Sequence, residues 1–246
     1  MNILTLKVGT KYSADYVNRL YNSLKREATV NFKFFCYTED PTDLLPEINI
    51  VPLDDPTKFK LQWHKVIFHK TGFADIPVGE KCLILDIDWI VLQNVDDILD
   101  YQLPQNHLGC FERWWSNRRH HCKLNGGFQM FYMGDTNYLW EEFITQPEYW
   151  QEHYINIGEA EGPVNGEQNF IDNHAKQKEW LPMEWFAKYE TGFDRKIQTN
   201  WHQDVNSLEP FFLDGEFAES IKMVHFTDAT NMIHNYTESW IEDFWK

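Results

Sequence analysis

An unbroken apolar run, Cys82-Leu83-Ile84-Leu85, stops at Asp86-Ile87-Asp88, and no other stretch restricts the fold of this chain as tightly. Four consecutive apolar residues suit a strand covered on both faces, as in a parallel sheet packed between helices. The aspartates then stand at its carboxyl end, where open α/β sheets bind ligands, and residues i and i+2 of an extended backbone project to the same side. Carboxylates so placed make a hard, oxygen-only anionic site, suited to Mg²⁺ or Mn²⁺ bridging a diphosphate. The same pair also suits a turn cap. Trp89 to Leu92 and then Asn94-Val95-Asp96-Asp97-Ile98-Leu99 read as a second apolar stretch, a turn and a short helix.

The rest of the first half alternates in the same style. Ile3 to Val8, Phe32 to Tyr37 and Ile48 to Val51 read as strands, a helix starts near Ser13 with Leu20 and Leu24 on its buried face, and Leu61 to Thr71 reads as a helix ending at Gly72. Alternating strands and helices predict a largely parallel sheet in an α/β layer sandwich. In the second half, His107 to Phe111, Gly127 to Met133 and Lys222 to Phe226 read as strands, and Thr136 to Ile144 and Glu167 to Asn173 as helices. The Trp240-Ile241-Phe244-Trp245 pattern, with acids beside it, reads as a docked amphipathic helix.

Composition narrows the partners. At 246 residues the chain can bury a core in one sizeable domain, and a formal net charge of -16 argues against nucleic acid or an anionic membrane as partner. A nucleotide is still admissible, because one metal ion and a few local cations neutralise a diphosphate. Cys36, Cys82, Cys110 and Cys122 lack metal spacing or disulfide density, the start Met1-Asn2-Ile3 carries no leader pattern, and no segment approaches membrane-span length. A cytoplasmic protein with reduced thiols is the expectation.

The aspartate block resembles the metal-binding segment of GT-A-fold glycosyltransferases, in particular the retaining group of glycogenin and the bacterial lipopolysaccharide galactosyltransferases. Further elements follow in that family's order. Asn125-Gly126-Gly127 resembles the N-[SA]-G segment that contacts the donor sugar, and Gly166-Glu167-Gln168 resembles G-D-Q, with glutamate for aspartate. In the family the acid binds donor-sugar hydroxyls and the glutamine lies near the anomeric carbon. Val224-His225-Phe226 matches the H-F element, which implies His225 as a metal ligand with Asp86 and Asp88. The loop Val8-Gly9-Thr10-Lys11-Tyr12 resembles the nucleotide-base and ribose loop, with Tyr12 placed to stack on uracil, and Lys65 resembles the lysine that reaches the donor phosphate or sugar. Taken singly, each of these has a plainer reading as a turn, a helix start, a core histidine or a solvated lysine.

The resemblance implies a Rossmann-like GT-A domain over 1–246, with 1–100 as the nucleotide-binding half and 101–246 as the donor-sugar and acceptor half. It implies a Mn²⁺- or Mg²⁺-dependent, retaining transfer of a hexose from UDP-glucose or UDP-galactose to a saccharide or other hydroxyl acceptor. Asn231 stands where the family has a lysine that holds the diphosphate; Arg118 and Arg119, in the basic stretch Arg113 to His121, are the candidate replacements. The alternatives are a sugar nucleotidyltransferase, for which Val8 to Tyr12 is a poor phosphate loop, and a non-catalytic binding protein of the same fold, which Asn231 favours.

Overall fold

The computed structural model describes residues 1–112, 122–157, 166–188, 212–213, 216–217, 220–226, 232–235 and 239–246. Its strands are β1 (Asn2–Lys7), β2 (Lys33–Thr38), β3 (Asn49–Pro52), β4 (Lys81–Leu85), β5 (Trp89–Val91), β6 (Leu108–Cys110), β7 (Phe128–Tyr132), β8 (Lys178–Trp180), β9 (Phe186–Lys188), β10 (Phe212–Leu213), β11 (Glu216–Phe217) and β12 (Met223–His225). Its α-helices are α1 (Ala14–Glu27), α2 (Asp96–Leu99), α3 (Asn137–Thr145), α4 (Pro147–Ile157), α5 (Gly166–His174) and a C-terminal helix, Ser239–Phe244. The chain forms two compact units, one of Met1–Asn18, Asn31–Ile87 and Gln102–Leu181, the other of Arg19–Val30, Asp88–Tyr101 and Pro182–Lys246.

The first unit is built on a seven-stranded sheet of order β3-β2-β1-β4-β7-β6-β8. β3, β2, β1 and β4 run parallel, as the continuous apolar runs predict, and in β4 Cys82, Leu83, Ile84 and Leu85 are all fully buried. β7 is antiparallel to both β4 and β6, which makes the sheet mixed. Its register sets Gln129 opposite Ile84 and Phe128 opposite Leu85, so β7 begins where β4 ends. The Asp86 N–H donates to Gly127 O at 3.0 Å and carries the ladder one step further.

The Leu61 to Thr71 segment departs from expectation: Leu61–His69 winds as a 3-10 helix, and Gly72 instead opens the next turn in the left-handed conformation at φ 76°. Trp63, Val66, Ile67 and Phe68 are weak α-formers, so tertiary packing decides the winding. Three residues per turn put Trp63, Val66 and His69 in one buried file and Lys65 and Phe68 in another. Trp63 stacks on Phe143 of α3 at 5.4 Å and lies 6.0 Å from Phe170 of α5, in the same buried cluster as Leu4, Ile84 and Phe131 of the central strands. The helix α4 was not foreseen, although Pro147 at its first position is a regular start signal.

In the second unit, β12 lies between β5, antiparallel to it, and β9, parallel to it. The C-terminal helix docks as its amphipathic pattern predicts. Arg19 donates to Trp245 O and lies 4.4 Å over that indole, while Ser23 and Arg26 donate to Phe244 O, cations and donors meeting the carbonyl end of the helix. No helix among the described residues is long and apolar enough to cross a membrane.

Candidate active site

At the carboxyl end of β4 the first unit gathers Lys65, Asp86, Glu167 and the Asn125-Gly126-Gly127 turn. Lys65 is buried rather than solvated, and its Nζ lies 2.9 Å from Asp86 Oδ1, 2.8 Å from Glu167 Oε1 and 3.2 Å from Gly126 O. Burial alone would drive the proton off Lys65, but Asp86 and then Glu167 outweigh it and hold the ammonium well above the ordinary lysine range. Burial also lifts Glu167 above the usual carboxylate range, an effect that Lys65 partly offsets. One ammonium facing two carboxylates leaves an anionic cluster. Asp86 is its accessible member, its side chain 30% exposed against 4% for Glu167.

The glycines are fixed by close approach. The Gly126 N–H donates to Gln168 Oε1 at 2.9 Å, and a Cβ on Gly126 would sit 2.6 Å from Gln168 Cβ and 2.9 Å from Glu167 Oε1. Only glycine lets the first turn of α5 lie directly on this turn. Gly166 meets the Trp63 indole in the same way, a Cβ there standing 3.0 Å from the ring. Asn125 is buried and its Oδ1 accepts the Gly127 N–H at 2.8 Å, closing an Asx turn. The plain readings of Asn125 as a turn former and of Glu167 as a first-turn acid therefore hold alongside any role toward a ligand.

The Val8 to Tyr12 loop leaves the carboxyl end of β1 through Gly9, at φ 70°, whose N–H donates to Glu39 Oε1 at 2.6 Å. Thr10 is exposed, and Val8 and Tyr12 are half-buried. Tyr12 meets Tyr16 edge-on at 4.9 Å and carries Lys11 Nζ 4.7 Å from its ring centroid.

In the second unit, the β5–β12 register sets His225 opposite Trp89, with the two rings stacked at 4.2 Å. His225 Nε2 lies 3.0 Å from Asp88 Oδ1, and the Phe226 N–H donates to Asp88 O at 2.9 Å. The aspartate and the imidazole, 137 positions apart in sequence, are thus joined by one strand pairing. Arg118, Arg119 and Asn231 lie outside the described residues. All four cysteines are buried and unbridged, and burial pushes the Cys36 and Cys82 thiols up to about 12, which rules them out as nucleophiles at neutral pH.

Three polar residues that the sequence reading missed, His69, Gln129 and Thr136, are fully buried and hydrogen-bonded to one another, and Gln129 joins them to the Gly126 carbonyl. Nothing in local pattern marks them, since each sits within an apolar run or at a helix start.

The chain has the fold of the GT-A glycosyltransferases. Scans against known protein families and curated proteins find no match. Among solved structures, the glycosyltransferase GlyE of Streptococcus pneumoniae TIGR4 aligns at TM-score 0.63 and 15% identity, over 99% of this chain and 59% of that one. The galactosyltransferase LgtC, crystallised with donor and acceptor sugar analogs, aligns at TM-score 0.58 and 12% identity over 93% and 88%. Mouse xyloside xylosyltransferase 1 aligns at TM-score 0.55 and 13% identity over 94% and 100%. The chain therefore spans about three fifths of GlyE.

Proposed function

We propose that this chain is a glycosyltransferase that moves a hexose from a nucleotide-diphosphate sugar to an acceptor hydroxyl, with UDP-glucose and UDP-galactose as the donors to test first. The observation that carries this reading is the buried Lys65 ammonium, shared by Asp86 and Glu167 at the carboxyl end of β4. The ammonium, its three donors taken by Asp86, Glu167 and Gly126, fixes two carboxylates beside a turn with no side chain at Gly126, and these offer acceptors for sugar hydroxyls and, at the accessible Asp86, a ligand for a divalent ion. The fold shared with solved glycosyltransferases supports the same class.

The donor set of Asp86, Asp88 and His225, two carboxylates and one imidazole, fits Mn²⁺ or Mg²⁺, and these three residues would hold the ion. Bound there, it would supply Lewis-acid stabilisation of the departing diphosphate. The rest falls to the chain itself. The Trp89 ring orients the His225 imidazole. Lys65 holds Asp86 and Glu167 in fixed positions, and Gln168 ties the start of α5 to Gly126. In this reading Glu167, Gln168, Asn125 and Gly126 face the donor sugar, and Val8, Thr10 and Tyr12 face the nucleoside. Retention of anomeric configuration rests on the family resemblance.

A nucleotide-sugar panel scored by thermal shift with and without Mn²⁺ tests the reading, because a ligand of the folded state at a hundred times its Kd adds about 2.7 kcal/mol. Mn²⁺-dependent stabilisation by a UDP-hexose, followed by turnover that EDTA abolishes, is the expected result. No response to any nucleotide sugar would overturn the donor assignment, and full turnover in EDTA would overturn the metal. Asn231, in the place of the family lysine, favours a non-catalytic binding protein as second reading; stabilisation without any donor hydrolysis would select it.

A further inference from the structure

The Gly126 carbonyl accepts two hydrogen bonds, from Lys65 Nζ at 3.2 Å and from Gln129 Nε2 at 3.1 Å. Gln129 Nε2 is thereby assigned as donor, so its Oε1 faces His69 Nε2, 3.1 Å away, and must accept. His69 thus carries its proton on Nε2. Its Nδ1 is left as acceptor for the Thr136 hydroxyl at 2.9 Å. The chain of donation runs from Thr136 to His69 to Gln129 to Gly126, and every member is buried.

His69 and Lys65 belong to the same 3-10 helix, Leu61–His69, so the hydrogen bonds close a ring. From Lys65 the ring passes through the Gly126 carbonyl, Gln129 on β7 and His69, and returns along the helix. Three residues per turn place Lys65 and His69 about 120° apart on that helix, which lets one reach Gly126 directly and the other reach it through Gln129. Gly126 is also held from its amide side by Gln168. A row of buried polar groups is costlier than an apolar core unless every member is satisfied, and satisfied rows specify one geometry.

We propose that Thr136, His69 and Gln129 are positioning residues that fix the Gly126 carbonyl, and with it the Lys65 ammonium, ahead of ligand binding. The kinetic part of this proposal rests on the glycosyl-transfer reading; the positional part does not. The test therefore has two readouts on the intact chain. Acetylation of individual lysines by acetic anhydride, followed by mass spectrometry, reports the mobility of Lys65 without any substrate. Mn²⁺-supported turnover of UDP-glucose and UDP-galactose reports its consequence.

Gln129→Met, which keeps the volume, and His69→Leu should each raise Lys65 labelling about tenfold, the effect of losing one buried hydrogen bond. Labelling of exposed Lys25 should not change. In His69→Gln the side-chain amide supplies a donor near the position of Nε2, and labelling should stay within about threefold of the parent. In turnover, Gln129→Met should lower kcat about tenfold while shifting the donor KM less than about threefold, because an interaction that preorganises charge acts mainly in the transition state. Unchanged Lys65 labelling in folded Gln129→Met overturns the proposal, as does a rise shared by all lysines, which would signal general loosening. Selective labelling changes in a protein whose parent turns over no nucleotide sugar would uphold the relay and refute glycosyl transfer.

Discussion

Replacing Lys65 with methionine removes one ammonium and leaves two carboxylates facing each other with no cation between them. With Nζ–O distances of 2.8 and 2.9 Å, each pair is worth about 6 kcal/mol of gross attraction at an effective dielectric near 20. The desolvation of Lys65 and Glu167 offsets most of that sum. What the mutation exposes is the cost of an unpaired buried carboxylate, about 3–5 kcal/mol. Against a total stability of about 5–15 kcal/mol this is a large loss, and it should lower Tm by about 6–20 °C. Glu167→Gln in the same background removes the stranded charge, so the double variant should regain about 1–3 kcal/mol over Lys65→Met alone. Urea titrations of the parent, both single variants and the double give the cycle directly. Additivity within about 0.5 kcal/mol would show that Lys65 and Glu167 do not act on each other and would refute the cluster as described.

His69 is buried neutral, its pKa pushed down to about 4 by burial. The unfolded chain takes up a proton near pH 6.5 and the folded one does not, so stability is complete above that pH and falls as pH drops toward 4, by about 3 kcal/mol. Urea titrations at pH 7 and pH 4.5 should show this component in the parent and lack it in His69→Gln; an equal pH response in both would refute it. Gly126→Ala forces a Cβ to within 2.6 Å of Gln168 Cβ and should cost about 1–3 kcal/mol, with loss of donor-induced stabilisation in the thermal-shift assay. His225→Ala should weaken Mn²⁺-dependent UDP binding by calorimetry, and an unchanged metal titration would remove His225 from the ligand set. Arg118→Ala/Arg119→Ala should lower turnover more than UDP affinity if these cations replace the family lysine, and Asn231→Lys should restore part of it; normal turnover at saturating donor refutes that role.

The parallel half of the sheet was legible because continuous apolar runs such as Cys82 to Leu85 have few uses other than a strand covered on both faces. The aspartates could be placed at the end of β4 for the same reason, and the paired glycines Gly126-Gly127 allow close approach without saying to what. Which groups meet was not legible. A hydrogen bond between Asp88 and His225 depends on the β5–β12 register, and the burial of Lys65 depends on the 3-10 winding of a segment that reads equally well as an α-helix. His69, Gln129 and Thr136 carry no local signal at all, because a buried polar side chain is defined by its partners, and those partners lie 60 and 67 positions away. Local sequence periodicity determines which face of an element is apolar; only tertiary packing decides which polar atoms those faces enclose, since satisfying them is a constraint on the assembled fold and not on any one segment.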